Sequence, residues 1–135
     1  MGIRTIIFRG KTEKGEWVYG DLLHPDNCGN GYSIEDFTKY KNNCFDVIPE
    51  TVGQYTGLTD KNGKRIFEGD IIITNKFGTP ERKYVVAYDT EIATYIGESK
   101  KGCARYFTTF SGDADVFEVI GNIHDNRLED FENGC

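Results

Sequence analysis

The sequence has no long apolar run and no cysteine motif. No stretch approaches the roughly 18 consecutive apolar residues that a membrane-spanning helix requires, so no membrane segment is predicted. No apolar signal segment follows Met1, so we expect the protein to reside in the cytoplasm. The four cysteines form no Cys-x-x-Cys pair, and free thiols are expected in a reducing compartment, including one at the terminal Cys135.

Proline is scarce, whereas glycine and aromatic residues are plentiful. The 135 residues include three Pro, 16 Gly, nine Phe and eight Tyr. Aromatic residues favour strands, and glycines favour the tight turns that join them. A chain of this length is most simply one domain, so we predict a single β-rich domain over residues 1–135.

Charge is distributed unevenly along the chain. The formal net charge of −6 disfavours non-specific coating of nucleic acid, because such binding depends on neutralising phosphates. Residues 61–111 nevertheless carry nine Lys or Arg against six acidic residues, a net of +3. Residues 112–135 carry one Arg against seven acidic residues, a net of −6. The acidic total therefore leaves room for a local basic surface.

Two hairpins are predicted from turn residues between apolar segments. Residues 3–9 and 16–22 flank a Lys-Gly turn and form a predicted N-terminal hairpin. Asn62-Gly63 predicts a type I′ turn, because both residue types tolerate a positive φ. Its flanking strands are predicted at residues 54–56 and 65–67.

Further short strands follow at regular spacing. Ile71–Thr74 is apolar enough for a buried strand, and other strands are predicted at residues 83–88, 92–96, 105–110 and 117–120. A spacing of about 10 to 12 residues per strand is typical of sandwiches and small barrels.

Two segments do not show the strand pattern of the rest of the chain. Residues 24–46 leave two alternatives open, a short helix that begins near Ser33 or an irregular excursion. Asp125–Phe131 predicts one helical turn capped by Asp125.

Three motif-rich stretches carry a family resemblance. The first is FRGK at 8–11 with GEWVYGD at 15–21, and the third is VIGNIHDN at 119–126. The second and longest begins with IPETVGQYTGL at 48–58 and continues through DKNG and FEGDI to residue 71. Together they resemble the YopX family of small phage and prophage proteins.

The resemblance implies a fold and an assembly but no chemistry. Similar proteins are expected to be β-rich, with a small Src-homology-3-like barrel, to form homo-oligomers and to act in a bacterial host cell. We therefore predict a mainly β fold, all-β or α+β with little helix. A partly open barrel core is expected at about 65–123, with an N-terminal hairpin beside it, a variable insertion at 24–46 and a short tail at 124–135. The resemblance supplies no catalytic residues.

Several polar groups are candidates for a site of chemistry. Glu50 with Asp60, Glu68 or Asp70 could supply paired carboxylates for acid–base catalysis or Mg²⁺, but nothing in their spacing brings them together. Glu68-Gly69-Asp70 is better read as a turn in which the Asp accepts backbone N–H bonds.

Zinc ligand types occur without the usual close pairing. They are His24, Cys28, Cys44 and His124, and only the first two lie close in sequence. We therefore predict no catalytic, cofactor or metal residue, and a protein that is not an enzyme.

Two kinds of binding surface are predicted instead. Aromatic anchors dominate interface energetics, and the candidates for a protein interface are Trp17, Tyr19 and Tyr55. Basic side chains interleaved with stackable aromatics such as Tyr84, Tyr95, Tyr106 and Phe107 suit a single-stranded nucleic-acid groove. The candidate nucleic-acid contacts are Lys61, Lys64, Arg65, Arg82, Lys83, Lys100, Lys101 and Arg105.

The leading hypothesis is a phage or prophage accessory protein that associates with itself and binds a phage or host protein without catalysis. The alternative is a nucleic-acid-binding module that uses the basic central segment. A hydrolase-type or metal-dependent enzyme is a remote third.

Overall fold

The structure, a computed structural model, is built from short strands. It describes residues 3–25, 31–36, 38, 43–74, 82–98, 105–107 and 117–126. Within that part of the chain, no helix is long and apolar enough to cross a membrane. The strands are β1 (Phe8–Lys11), β2 (Trp17–Leu23), β3 (Ser33–Glu35), β4 (Cys44–Asp46), β5 (Gly53–Thr59), β6 (Arg65–Phe67), β7 (Asp70–Thr74), β8 (Arg82–Asp89), β9 (Thr94–Glu98), β10 (Arg105–Phe107) and β11 (Phe117–Asn122).

The strands form two sheets, in the orders β4-β3-β2-β1-β5-β6 and β10-β9-β8-β7-β11. This confirms the predicted mainly β fold. The described strands form no closed barrel, since each sheet order begins and ends on a different strand. The chain divides into two compact units, residues 1–55 and 56–135, and β5 contains the boundary. One domain over the whole chain stays a prediction.

The first unit is organised by the β1–β2 hairpin that the sequence predicts. The two strands pair antiparallel, and Gly15 at the turn has φ of +88°. The predicted first strand is wrong at its start, because residues 3–7 are not in a strand and Ile3 is 97% exposed. Ile7 still accepts a backbone bond from Tyr55 N–H at 2.8 Å.

Residues 24–46, for which the sequence leaves a short helix and an irregular excursion open, contribute two strands. β3 pairs with β2 and β4 pairs with β3, both antiparallel. The helix prediction is wrong at its first turn, since Ser33 begins β3 and Ile34 is fully buried. The burial of Ile34 explains the outcome, because a strand carries this one apolar side chain into the core.

The hydrophobic core of the first unit lies on one side of the β1–β2 hairpin. Val18, Ile34 and Val47 are its buried members. Partly buried residues packed against them are Phe8, Leu22, Tyr32, Phe45 and Val52.

Glycines allow the backbones of this unit to approach closely. A Cβ on Gly10 would lie 2.9 Å from the side chain of Val47. One on Gly20 would lie only 1.8 Å from the carbonyl oxygen of Glu35, so position 20 has no space for a side chain.

The second unit is built on β7, whose five residues are all buried. β7 pairs antiparallel with β8 and β11, and β9 joins β8 to β10. Ile66, Ile72, Tyr84, Val86 and Phe117 form its buried core.

Strand positions in this unit follow the prediction with shifts at the ends. β7, β8 and β11 lie where strands are predicted, and β10 covers the described half of the predicted strand at 105–110. β9 begins two residues later than predicted, because Ile92 lies exposed in the turn. Cys28, Lys100, Lys101 and Cys135 lie outside the described residues, as does most of the predicted helical turn from Asp125 to Phe131. In the part described, Oδ1 of Asn122 accepts the N–H groups of His124 and Asp125 in a turn, and the predicted cap at Asp125 stays a prediction.

Candidate protein-interaction face

Strand pairing places two basic and two aromatic side chains on one face of the first hairpin. Arg9 lies opposite Tyr19, and Lys11 lies opposite Trp17. Alternate residues of a strand point to the same face, and directly opposed residues share it. The other face carries Val18 and Phe8 into the core. We call Arg9, Lys11, Trp17 and Tyr19 the hairpin face.

The Trp17 ring holds the two cations of this face. The guanidinium carbon of Arg9 lies 4.7 Å from the ring centroid, and Nζ of Lys11 lies 5.8 Å from it. Both distances fall within the roughly 6 Å over which the ring quadrupole attracts a cation. The contact orients the indole and fixes positive charge beside it.

The four side chains of the hairpin face differ in how much of each is exposed to solvent. Arg9 is only 5% exposed, Lys11 and Trp17 are half-buried, and Tyr19 is 44% exposed. Arg9 is therefore largely covered, and Lys11, Trp17 and Tyr19 are the more accessible side chains of the face.

Lys11 is held through its backbone by the segment before β5. Its N–H donates to Oγ1 of Thr51 at 2.9 Å, and its carbonyl accepts from Ile48 N–H at 2.8 Å. The same Thr51 hydroxyl donates to the carbonyl of Ile48 at 2.6 Å, in the 3-10 turn Pro49–Thr51. The long IPET motif therefore positions one end of the hairpin face.

The three predicted interface residues differ in exposure. Trp17 and Tyr19 lie together on the hairpin face, whereas Tyr55 is 9% exposed and belongs to the buried residues of the unit. Sequence reasoning missed Arg9 and Lys11. Their alternation in FRGK was visible, but the strand register that sets them opposite the aromatics was not.

The predicted nucleic-acid residues are distributed over several elements. Lys61, Lys64 and Arg65 are exposed at the β5–β6 turn, and Nζ of Lys61 lies 3.7 Å from Oε1 of Glu118. Arg82 and Lys83 begin β8, and Arg105 begins β10.

The interleaved aromatics that the structure describes do not form an open stacking surface. Tyr84 is buried in the core, and Tyr95 is half-buried with its ring packed edge-on against Tyr88 at a centroid distance of 5.1 Å. Nucleic-acid binding therefore stays a prediction.

Asp60, weighed as a catalytic carboxylate, holds backbone together. Its Oδ1 accepts from the N–H groups of Asn62 and Lys64, and its Oδ2 accepts from Val119 N–H at 3.0 Å. Burial raises the pKa of Asp60, but these three backbone bonds and the charge of Lys64 lower it, and the net pKa lies below the ordinary 3.8. The side chain is ionised and engaged as a structural acceptor.

This turn also differs from the predicted type I′ geometry. Gly63 has φ of +82°, but Asn62 does not have a positive φ. Gly63 N–H donates to the carbonyl of Asp60, so the Asp side chain and one glycine build the turn.

Asp70 has the turn role that the sequence predicts. It is 1% exposed, and its Oδ2 accepts from Phe67 N–H at 2.8 Å, while Gly69 has φ of +88°. Glu50, by contrast, is exposed in the 3-10 turn.

His24 and Cys44, two of the residues with side chains that can bind zinc, have different surroundings. His24 packs edge-on against Tyr32, and Cys44 is exposed at the edge strand β4. Among the residues that the structure describes, no group of three or more His, Cys, Asp or Glu is arranged to hold a metal ion.

The fold places the chain among mainly β proteins with two antiparallel sheets. The model of the family described as YopX protein matches residues 7–129. The chain belongs to the YopX family.

One solved structure shows the same fold over nearly the whole chain. The crystal structure of protein EF1440 from Enterococcus faecalis matches with a TM-score of 0.52 and 22% identity, and the alignment covers 92% of this chain and 96% of that one. This likeness concerns the fold alone. No curated protein matches the sequence.

Proposed function

We propose that this protein is a non-enzymatic, self-associating phage or prophage accessory protein that acts in the bacterial cytoplasm, and that the hairpin face is its contact surface. The observation that carries the proposal is the placement of Trp17 and Tyr19 side by side on a solvent-facing sheet surface, with Arg9 and Lys11 fixed beside them.

The chemistry of this face suits protein recognition. Trp, Tyr and Arg are the residues that most often carry binding energy at protein interfaces. Trp17 is already oriented by its cations, so little side-chain freedom would be lost when a partner covers it.

The carboxylates support a role without catalysis. Asp60 and Asp70, two of the four weighed for acid–base chemistry, are occupied by backbone N–H donors within turns. Both carboxylates therefore serve as structural acceptors in turns of the second unit.

Sedimentation velocity across micromolar concentrations tests the proposal. We expect concentration-dependent association of the wild-type protein and about tenfold weaker association of Tyr19→Ala, since loss of an interface tyrosine typically costs more than 1 kcal/mol. Ile123→Ala, which removes another exposed apolar side chain (37%), is the control. A wild-type monomer at every concentration would refute self-association, and an unchanged Tyr19→Ala would remove the hairpin face.

A further inference from the structure

The end of the β8–β9 hairpin is the acidic counterpart of the hairpin face. Residues 84–98 contain Asp89, Glu91 and Glu98 and no Lys, Arg or His. Asp89 ends β8, and its Oδ1 accepts from Glu91 N–H at 2.9 Å, which holds the turn. Glu91 and Glu98 are exposed. One surface of the second unit therefore carries negative charge without compensating cations of its own segment.

The same hairpin end also exposes apolar side chains that a partner surface can contact. Ile92 is 49% exposed at the turn, and Tyr88 is 44% exposed. The Tyr88 ring packs on Tyr95 at an interplanar angle of 71°, which holds it in one orientation. A shallow groove lined in part by Tyr88, Ile96 and the three carboxylates runs along it. We call Tyr88, Asp89, Glu91 and Ile92 the acidic tip.

We propose that the hairpin face of one copy binds the acidic tip of a second copy. The proposal rests on the proposed self-association and names its partner surfaces. Each surface combines exposed aromatic or aliphatic area with charge of one sign, and the two signs are opposite. The total charge of −6 makes copies repel at long range, so a local match of this kind is needed for association.

Charge also selects where on the face the tip docks. Asp21 follows Tyr19 on the same side of β2 and is exposed. Its carboxylate repels the acidic tip. Glu13 and Glu16 in the hairpin turn are exposed as well, so the tip docks between these acidic ends, over Lys11, Trp17 and Tyr19.

Unlike surfaces in contact produce a head-to-tail assembly. After the first contact one copy retains an unused tip and the other retains an unused face, so association continues until a ring closes or a chain grows. A symmetric dimer that joins two hairpin faces would instead oppose like charges, which is unfavourable.

The test uses two charge-reversal variants and their mixture. Lys11→Glu disables the face but keeps the tip, and Glu91→Lys disables the tip but keeps the face. We expect each variant alone to associate at least about tenfold more weakly than wild type, which corresponds to about 1.4 kcal/mol. Mixed in equal amounts, they should form mixed pairs, because the intact face of Glu91→Lys meets the intact tip of Lys11→Glu.

Energy transfer between variants labelled at their amino termini with two different dyes reports the mixed pair, and sedimentation reports its size. Arg82→Glu and Asp125→Lys reverse exposed charges elsewhere and should associate as wild type does. Circular dichroism and a thermal melt confirm folding of every variant.

The outcomes separate this inference from the proposed function. If Tyr19→Ala weakens association but Glu91→Lys does not, the hairpin face stands and the acidic tip is refuted. If both single reversals weaken association yet the mixture forms no pair, the head-to-tail contact is wrong. If the wild-type protein never associates, both proposals fail.

Discussion

Asp60 shows how one side chain can join distant parts of the second unit. It holds the β5–β6 turn through Asn62 and Lys64, and it accepts a bond from Val119, which lies 59 residues away. Lys61 N–H adds a second link to the carbonyl of Phe117 at 2.9 Å. The turn contacts are local and suit an Asp before Asn-Gly, whereas the Val119 contact depends on the tertiary placement of β11.

Replacement of Asp60 should be costly and pH-dependent. Asp60→Asn converts one acceptor oxygen into a donor and leaves a backbone N–H without its partner, so we expect a loss of about 2 to 4 kcal/mol at pH 7. The folded pKa lies below the unfolded value, so this contribution is complete above the unfolded pKa of about 3.9 and is lost as pH falls through the folded pKa.

Urea unfolding of wild type and Asp60→Asn between pH 7 and pH 3 measures this difference. The gap between the two should narrow below about pH 4. Asp21→Asn, at an exposed strand position, should match wild type at pH 7. A gap that widens on acidification would contradict the lowered pKa.

Ala93 occupies a backbone conformation that favours glycine. Its φ is +54°, and it is exposed in the β8–β9 turn. Because a side chain is strained in this region, Ala93→Gly should stabilise the protein by up to about 1 kcal/mol. Ala87→Gly, within β8, should instead destabilise it by about 0.5 to 1 kcal/mol. Thermal melts of both variants provide the comparison, and destabilisation by Ala93→Gly would contradict the assigned turn.

At the scale of elements, pairs of strands were easier to predict than their ends. The β1–β2 hairpin follows from Lys-Gly between apolar segments, and β7 follows from a run of isoleucines. Residues 33–35 were not recognised as a strand, because a three-residue strand has too few positions to show a period. Ile92 has strand propensity, but the turn of Asp89 and Ala93 leaves it exposed.

A substitution at Gly20 tests how closely the backbone of β2 approaches that of β3. Gly20→Ala would place a Cβ 1.8 Å from the carbonyl oxygen of Glu35, and backbone must move to relieve that overlap. We expect a loss of about 3 kcal/mol or more. Gly31→Ala is the matched control, since a Cβ there meets nothing within 4 Å and should change stability by no more than about 0.5 kcal/mol. If urea unfolding gave equal losses of stability for Gly20→Ala and Gly31→Ala, this account of position 20 would be refuted.

At the scale of the whole molecule, the described core contains two clusters with no common member. Ile34 belongs to the cluster of the first unit and Ile72 to that of the second, and both are 0% exposed. Ile34→Val and Ile72→Val should each cost about 0.5 to 1.5 kcal/mol, since each removes one buried methyl group.

The double variant tests whether the two clusters act independently. Residues without shared partners usually contribute additively, so the double loss should equal the sum of the single losses within about 0.5 kcal/mol. Urea unfolding at pH 7 gives all three values. A larger discrepancy would show that the clusters are energetically coupled.

The β-rich class, the family, the positions of the two hairpin turns and the structural role of Asp70 could be predicted from the sequence, because they depend on local propensity and on motifs close together in the chain. Which residues come into contact depends on the tertiary structure. Strand register set Arg9 and Lys11 opposite Tyr19 and Trp17, and long-range pairing gave Asp60 its third backbone donor. Register and pairing depend on contacts between residues far apart in sequence, and neither composition nor periodicity encodes those contacts directly.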